Sequence, residues 1–367
     1  MRLALRNIVH DRLRFFLTIV GIAFSAFLMM FQGSLLAGFE RAASRVIDSI
    51  DADLWVMPRG VQAFDFSPPL SSNYSGIVKG IAGVRSVHEI ATGIAFWQRP
   101  NGTRKTIAVI GSEVGLPGSF PLSEISVLLP ENVLIDASDL DSLGLTELPA
   151  DVEINSHRRH VERSVSGFGS FLGSPYVFGR LSDARNCLGL NAEGAMFLLL
   201  QVEGRPVSAV QTALHERVPE LDVLDKEQFS ARAKLYWTTQ TGAGGALLTA
   251  AVLGFIVGVL IVSQNVYATT MENIEEFATL KALGASRFFI IRIVVTQALV
   301  SAILGCAAGM LLSIPVTSLA RKAIAWIYTP WELSVGLAAA TLLLAAFASI
   351  AAARAALTIE PGRVFRA

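Results

Sequence analysis

The sequence predicts an α-helical membrane protein with four transmembrane helices plus a large α+β extracytoplasmic domain. Three observations carry this. Residues 15–39, 235–271, 293–320 and 333–353 contain no Asp, Glu, Lys or Arg, and spanning a hydrocarbon core of roughly 30 Å takes about 20 helical residues. The chain is 52% hydrophobic and 16% charged, against roughly 25% charged for a soluble domain. About two hundred residues of ordinary polar sequence separate the first apolar stretch from the second. The formal net charge of zero averages aqueous and membrane parts and gives no case for nucleic-acid binding.

The first element, residues 1–14, is read as a cytoplasmic amphipathic helix leading into span 1, residues 15–39. A basic segment before an apolar run resembles a signal peptide. The run is longer than the usual h-region of about 7–15 residues, however, so a retained anchor is expected. The later spans are placed at 235–270, 289–320 and 333–354.

Orientation follows from the cations. Arg2, Arg6, Arg12 and Arg14 precede span 1, Lys281, Arg287 and Arg292 lie between spans 2 and 3, and Arg354, Arg363 and Arg366 follow span 4. Short Lys/Arg-rich segments stay in the cytoplasm. The loop 321–332 offers only Arg321 and Lys322, with Trp326, Tyr328 and Trp331 placed as an interfacial aromatic belt. Both termini and residues 271–288 are therefore expected inside, 40–234 outside, and the tail 355–367 inside. Cys187 falls in the external segment and Cys306 in span 3, so no disulfide framework is expected.

Residues 40–234 alternate strand-like and helical runs. Asp53-Leu54-Trp55-Val56-Met57, the helical candidate 74–81 and the β-rich runs 86–97 and 106–111 form one set. The apolar run 195–202, a helix opened by Pro206 and reaching His215, and the strand Leu221-Asp222-Val223-Leu224 form a second. Strand, helix, strand occurring twice suggests a ferredoxin-like (porter-like) split β-α-β layout. Residues 112–190, with strands expected at 125–129 and 133–135, read as an inserted lobe.

Within this domain, His157-Arg158-Arg159-His160 supplies two imidazoles without further ligands at metal-site spacing and reads as a solvated basic patch. Gly167-Phe168-Gly169-Ser170-Phe171-Leu172-Gly173 lacks the Lys-Ser/Thr ending of a phosphate loop. It reads as a mobile loop with exposed Phe residues, or as a satellite hydrophobic cluster. Asn73-Tyr74-Ser75 and Asn101-Gly102-Thr103 are weak glycosylation patterns. No cofactor or metal is implied, and no nucleophile has a convincing base.

The segment between spans 2 and 3 carries the most information. At about 100° per residue, Glu272, Glu275, Glu276 and Thr279 gather on one side of a helix and Ile274, Phe277, Ala278 and Lys281 on the other, with Gly284 suited to end it. Glu276-Phe277-Ala278-Thr279-Leu280-Lys281-Ala282-Leu283-Gly284-Ala285 resembles the coupling segment of the MacB/FtsX-like permease family of ABC transporters. Leu3-Ala4-Leu5-Arg6-Asn7-Ile8 through Arg14 is similar to that family's entry helix, and Ala353-Arg354-Ala355-Ala356-Leu357 with Ile359-Glu360-Pro361 to its closing pattern. The run Asp53 to Met57 after a long first span looks most like the DevC branch. One departure stands out: relatives often place Arg before the coupling Glu, where this chain has Glu272-Asn273-Ile274-Glu275.

The resemblance implies a non-enzymatic subunit, consistent with the lack of a Gly-x-x-x-x-Gly-Lys-Ser/Thr motif. Its expected partners are a separate ABC ATPase, a second permease (most simply a homodimer), a membrane-fusion adaptor and the bilayer of the bacterial inner membrane. Glu276, Phe277, Leu280, Lys281 and Gly284 are the expected ATPase-coupling residues, with Phe277 and Leu280 as apolar anchors. ATP-driven movement would act on a hydrophobic or lipid-like cargo outside. A lipoprotein-releasing subunit and an FtsX-like regulator of an external hydrolase are the alternatives. The spacings Gly254 to Gly258 and Gly305 to Gly309 permit close helix approach, either within one chain or between two. The absence of ionisable side chains inside the spans argues against ion coupling.

Overall fold

The computed structural model describes residues 12–71, 73–113, 125, 128–169, 171, 173–190 and 194–358. The entry pattern through Ile8 and the closing Ile359-Glu360-Pro361 lie outside them. Among the described residues, four helices are long and apolar enough to cross a membrane: Phe15–Ser49, Gly242–Glu272, Arg287–Ala320 and Trp331–Arg354. The chain divides into two compact units, residues 39–244 and the remainder.

The helical unit is organised around the first helix, α1 (Arg12–Ser49). Small residues on its neighbours meet it. A Cβ at Gly305 would lie 2.6 Å from Cβ of Ile22, and one at Gly258 would lie 2.7 Å from Sδ of Met29. The Ser25 hydroxyl donates to the Gly258 carbonyl at 3.0 Å. Both glycine pairs thus pack against α1 of their own chain. Lipid gives no hydrophobic drive for helix association, so such close packing and interhelical hydrogen bonds must hold the bundle. Leu311, Leu319, Leu343 and Phe347 are instead exposed, as surfaces facing lipid tails require. Beyond Ala320, the Thr329 hydroxyl donates to Ser34 Oγ at 2.8 Å, fixing the connection to the fourth span against α1.

In the α+β unit the continuation of α1 from Phe39 to Ser49 buries Phe39, Val46 and Ile47. These apolar residues explain why the helix runs ten residues past the expected end of span 1. The strands are β1 (Leu54–Pro58), β2 (Val84–Gln98), β3 (Arg104–Ser112), β4 (Asn132–Asp136), β5 (Ala150–Ile154), β6 (His157–Val165), β7 (Tyr176–Arg180), β8 (Phe197–Val202) and β9 (Leu221–Asp225). Four lie in the order β2-β8-β1-β9, all antiparallel. With helix α2 (Asn73–Lys79) between β1 and β2 and a second helix, Val207–Arg217, between β8 and β9, this is the ferredoxin-like split β-α-β layout. Leu54 and Val56 join Leu198, Leu200, Val210 and Leu214 in one core. Trp55, on the opposite face by strand alternation, packs with Phe197 (5.6 Å) and Phe229 (5.2 Å).

The inserted lobe starts earlier than expected. Strand β2 is 15 residues long, and its far half pairs with β3 and β5. The circuit β2-β3-β7-β4-β6-β5 returns to β2 and closes a small barrel. A long strand shared by two sheets removes the free edge that a separate lobe would expose. The strand expected at 125–129 is not found: Ile125, Leu128 and Leu129, its described residues, are outside β structure.

Three readings of this domain are corrected. Phe168 and Phe171 are buried rather than exposed, Phe168 under the Arg45 guanidinium at 5.1 Å and Phe171 against Trp237 at 4.9 Å. The loop is therefore a satellite hydrophobic cluster. Arg159 is buried, not part of a solvated patch, and its guanidinium donates to the Asp183 carbonyl at 3.3 Å. Finally, residues 235–241 do not open span 2. The helix Lys226–Leu235 starts in a capping box formed by Asp225 and Gln228 and passes into a π turn, Tyr236–Gln240, before Gly242 begins the membrane helix. The uncharged Tyr-Trp-Thr-Thr-Gln stretch imitates a span in composition, but Trp237 is committed to the α+β core.

Candidate functional site

The helix α3 (Ile274–Ala282) joins two membrane helices. Its surface divides as the sequence predicts: Glu272, Glu275, Glu276 and Thr279 are exposed, while Ile274, Phe277, Ala278 and Lys281 are buried or half-buried. Glu275 and Glu276 in the first turn and Lys281 in the last complement the helix dipole.

The end of α3 is closed by Gly284, whose φ is +92°. Its amide donates to the Lys281 carbonyl (3.1 Å), and the Ala285 amide donates to the Leu280 carbonyl (3.0 Å). This pair of bonds is a Schellman closure with glycine in the left-handed position. Ser286 then caps the third membrane helix, accepting from the Phe289 amide at 3.2 Å.

Phe277 is only 4% exposed and clusters with Ile290, Val294 and Ala353, with Leu280 and Ala285 packed alongside. The two residues expected to anchor a partner therefore hold α3 onto the bundle instead. An amphipathic helix beside a bundle end buries its apolar face there first, which leaves Phe277 no free surface to offer. The exposed large apolar side chains nearby are Leu283 (80%), Phe288 (75%) and Phe289 (44%). Sequence reasoning missed them. The signal was their position beside Gly284 and Ser286, off the Phe277-Leu280 stripe. The outward surface thus combines acidic side chains with apolar ones flanking a rigid turn. Such a surface has no chemistry of its own, but it can bind a groove with basic and apolar walls.

The histidines of the α+β domain do not converge. His157 and His160 are three apart on β6, so they point to opposite faces, and His160 Nδ1 lies 2.7 Å from Asp151 Oδ1. Among the described residues, no three His, Cys, Asp or Glu side chains gather to hold a metal.

Four apolar helices with a large α+β domain between the first and second define a multi-pass membrane protein. Residues 248–361 match the FtsX-like permease C-terminal family. An uncharacterized ABC transporter permease of Mycobacterium tuberculosis is 25% identical over 364 residues, 99% of this chain and 98% of the relative. One from Mycobacterium bovis is 24% identical over 366 residues, with the same coverage. The periplasmic region of MacB from Actinobacillus actinomycetemcomitans superposes with a TM-score of 0.35 at 11% identity, covering 50% of this chain and 93% of that structure. The chain is thus similar to FtsX-like permeases over residues 248–361, and to ABC transporter permeases over nearly its full length.

Proposed function

We propose that this permease couples ATP hydrolysis by a separate ATPase subunit to the export or extrusion of a hydrophobic or lipid-like cargo by mechanotransmission, and that α3 with its closing turn receives the ATPase. The observation carrying this reading is the division of labour on α3. Phe277 and Leu280 fasten it to the bundle, while Glu275, Glu276, Leu283 and Phe288 face outward. A segment fastened on one side and recognised on the other can pass a push from a partner into the spans.

In this reading, α3 and both termini are cytoplasmic, supported by the Lys/Arg distribution, and the α+β domain lies outside, where an adaptor would meet it. Gly284 sets the turn, and Glu276 and Lys281 set register with the ATPase. A second permease, most simply another copy, completes the transporter. It would pack through other surfaces than Gly254, Gly258, Gly305 and Gly309, which α1 already occupies.

The test is co-purification of the chain with its ATPase, alongside ATPase stimulation in reconstituted bilayers. Glu275→Lys with Glu276→Lys is expected to abolish both while leaving membrane insertion unchanged. Undiminished recruitment by the double variant would reject α3 as the receiving element.

A further inference from the structure

The first three membrane helices bring polar side chains together at the end of the bundle that carries α3. Thr18, Thr269, Thr270, Gln297 and Ser301 line a cavity of about 20 Å³, with Val266, Val294 and Ala298 as its apolar wall. Gln297 and Ser301 are 9% and 6% exposed. Among the described residues, neither side chain has a hydrogen-bond partner. The Thr269 hydroxyl donates to the Asn265 carbonyl and the Thr270 hydroxyl to the Val266 carbonyl, each at 2.8 Å. Both oxygens keep lone pairs free to accept. Thr18 Oγ1 lies 3.3 Å from Thr269 Oγ1.

The Gln297 side chain is largely buried, and an amide without a protein partner is costly in an apolar bundle unless water reaches it. The cavity exceeds the roughly 10–15 Å³ that one water requires and offers the 2–4 polar partners that would hold it. We propose that this cavity binds one ordered water, which accepts from the Gln297 amide or the Ser301 hydroxyl, donates to the Thr269 and Thr270 oxygens, and so joins the second and third spans beside Thr18 of the first.

Val294 gives the site its consequence, since it lines the cavity and also packs in the Phe277 cluster that fastens α3. A water can exchange partners as helices shift, whereas a direct amide contact would have to break inside the bundle. The site is thus a yielding contact where α3 pushes on the spans. That consequence rests on the coupling role proposed above; the water site itself does not.

The test is water-edited solid-state NMR on the full chain, 15N-labelled, in lipid bilayers, with the Gln297 side-chain signal assigned by its loss in Gln297→Leu. Magnetisation is expected to pass from water to that amide several-fold faster than to the backbone amide of lipid-facing Leu304. Ser301→Val, which fills the cavity and leaves Gln297 observable, is expected to abolish the difference and serves if Gln297→Leu fails to fold. Transfer no faster than at Leu304, or transfer unchanged by Ser301→Val, would overturn the site. No ATPase is present in this measurement, so its failure is separate from failure of the coupling proposal.

Discussion

The Ala285 amide reaches back to the Leu280 carbonyl at 3.0 Å, and both side chains pack against the cluster around Phe277. The same turn therefore ends α3 and pins its last residues to the bundle. Gly284 makes this possible, because a left-handed conformation costs an L-residue roughly 1–2 kcal/mol. A Cβ at Gly284 would meet nothing within 4 Å, so Gly284→Ala isolates the backbone effect. It is expected to cost about 1 kcal/mol and to make the turn more susceptible to proteolysis, while Gly284→Asn, tolerant of this region, costs less. Limited proteolysis with thermal unfolding in detergent would show it. Equal behaviour of glycine and alanine would mean that the turn is not held.

Phe277 and Phe288 should separate stability from recognition. Phe277→Ala empties a buried site and is expected to destabilise the chain by roughly 3 kcal/mol. Phe288→Ala is expected to leave the thermal midpoint in place and weaken ATPase binding at least tenfold, the scale of losing an apolar anchor at an interface. Paired measurements of unfolding and ATPase affinity decide this. If Phe277→Ala were stable and selectively uncoupled, that residue would face the partner after all.

What was legible in the sequence, and what was not, follows from the range of the forces involved. Periodicity alone places Glu275 and Phe277 on opposite faces of α3, and Gly284 announces its end, because these are local requirements of a helix. The two βαβ units are visible for the same reason. Whether Phe277 packs on its own bundle or on a partner depends on Ile290, Val294 and Ala353, the last more than seventy residues away, and no local pattern records that. The barrel was equally hidden, since its closure rests on β2 continuing across two sheets. Gln297 read as an ordinary residue in an apolar run until Thr18, Thr269 and Ser301 were brought beside it.

The glycine pairs give a graded prediction. A Cβ at Gly309 would collide with the Ala23 carbonyl and lie 2.9 Å from Cβ of Ala26 and 3.0 Å from the Phe27 amide nitrogen, backbone and near-backbone atoms that cannot rotate away. At Gly254 the nearest atom is Cγ of the flexible Gln32, at 3.1 Å. Gly309→Ala is therefore expected to cost about 1–3 kcal/mol, as overpacking does, while Gly254→Ala is nearly neutral. Thermal unfolding of the two variants in one detergent would rank them. A reversed order would indicate that α1 does not pack as described.

Asp65 provides a pH-dependent test in the α+β domain. It is partly buried and accepts the Tyr176 hydroxyl at 3.0 Å. Burial raises its pKa above the ordinary carboxylate value, with the Tyr176 hydrogen bond opposing the rise. Burial also pushes the Tyr176 hydroxyl well above the usual tyrosine range, and the neighbouring carboxylate adds to this. A raised pKa means that the folded state holds the proton more tightly than the unfolded chain. The resulting stability is fully present below the unfolded value of about 3.9 and is lost as pH rises through the folded one. At neutral pH the ionised carboxylate thus opposes folding. Asp65→Asn keeps an oxygen for Tyr176 and removes the charge, so it is expected to raise the unfolding midpoint at pH 7, with the gain shrinking toward pH 4. Tyr176→Phe leaves Asp65 without its donor and is expected to cost about 1–3 kcal/mol at pH 7. Unfolding followed across this pH range would decide the matter: parallel curves for wild type and Asp65→Asn would show that Asp65 titrates alike in the folded and unfolded chain.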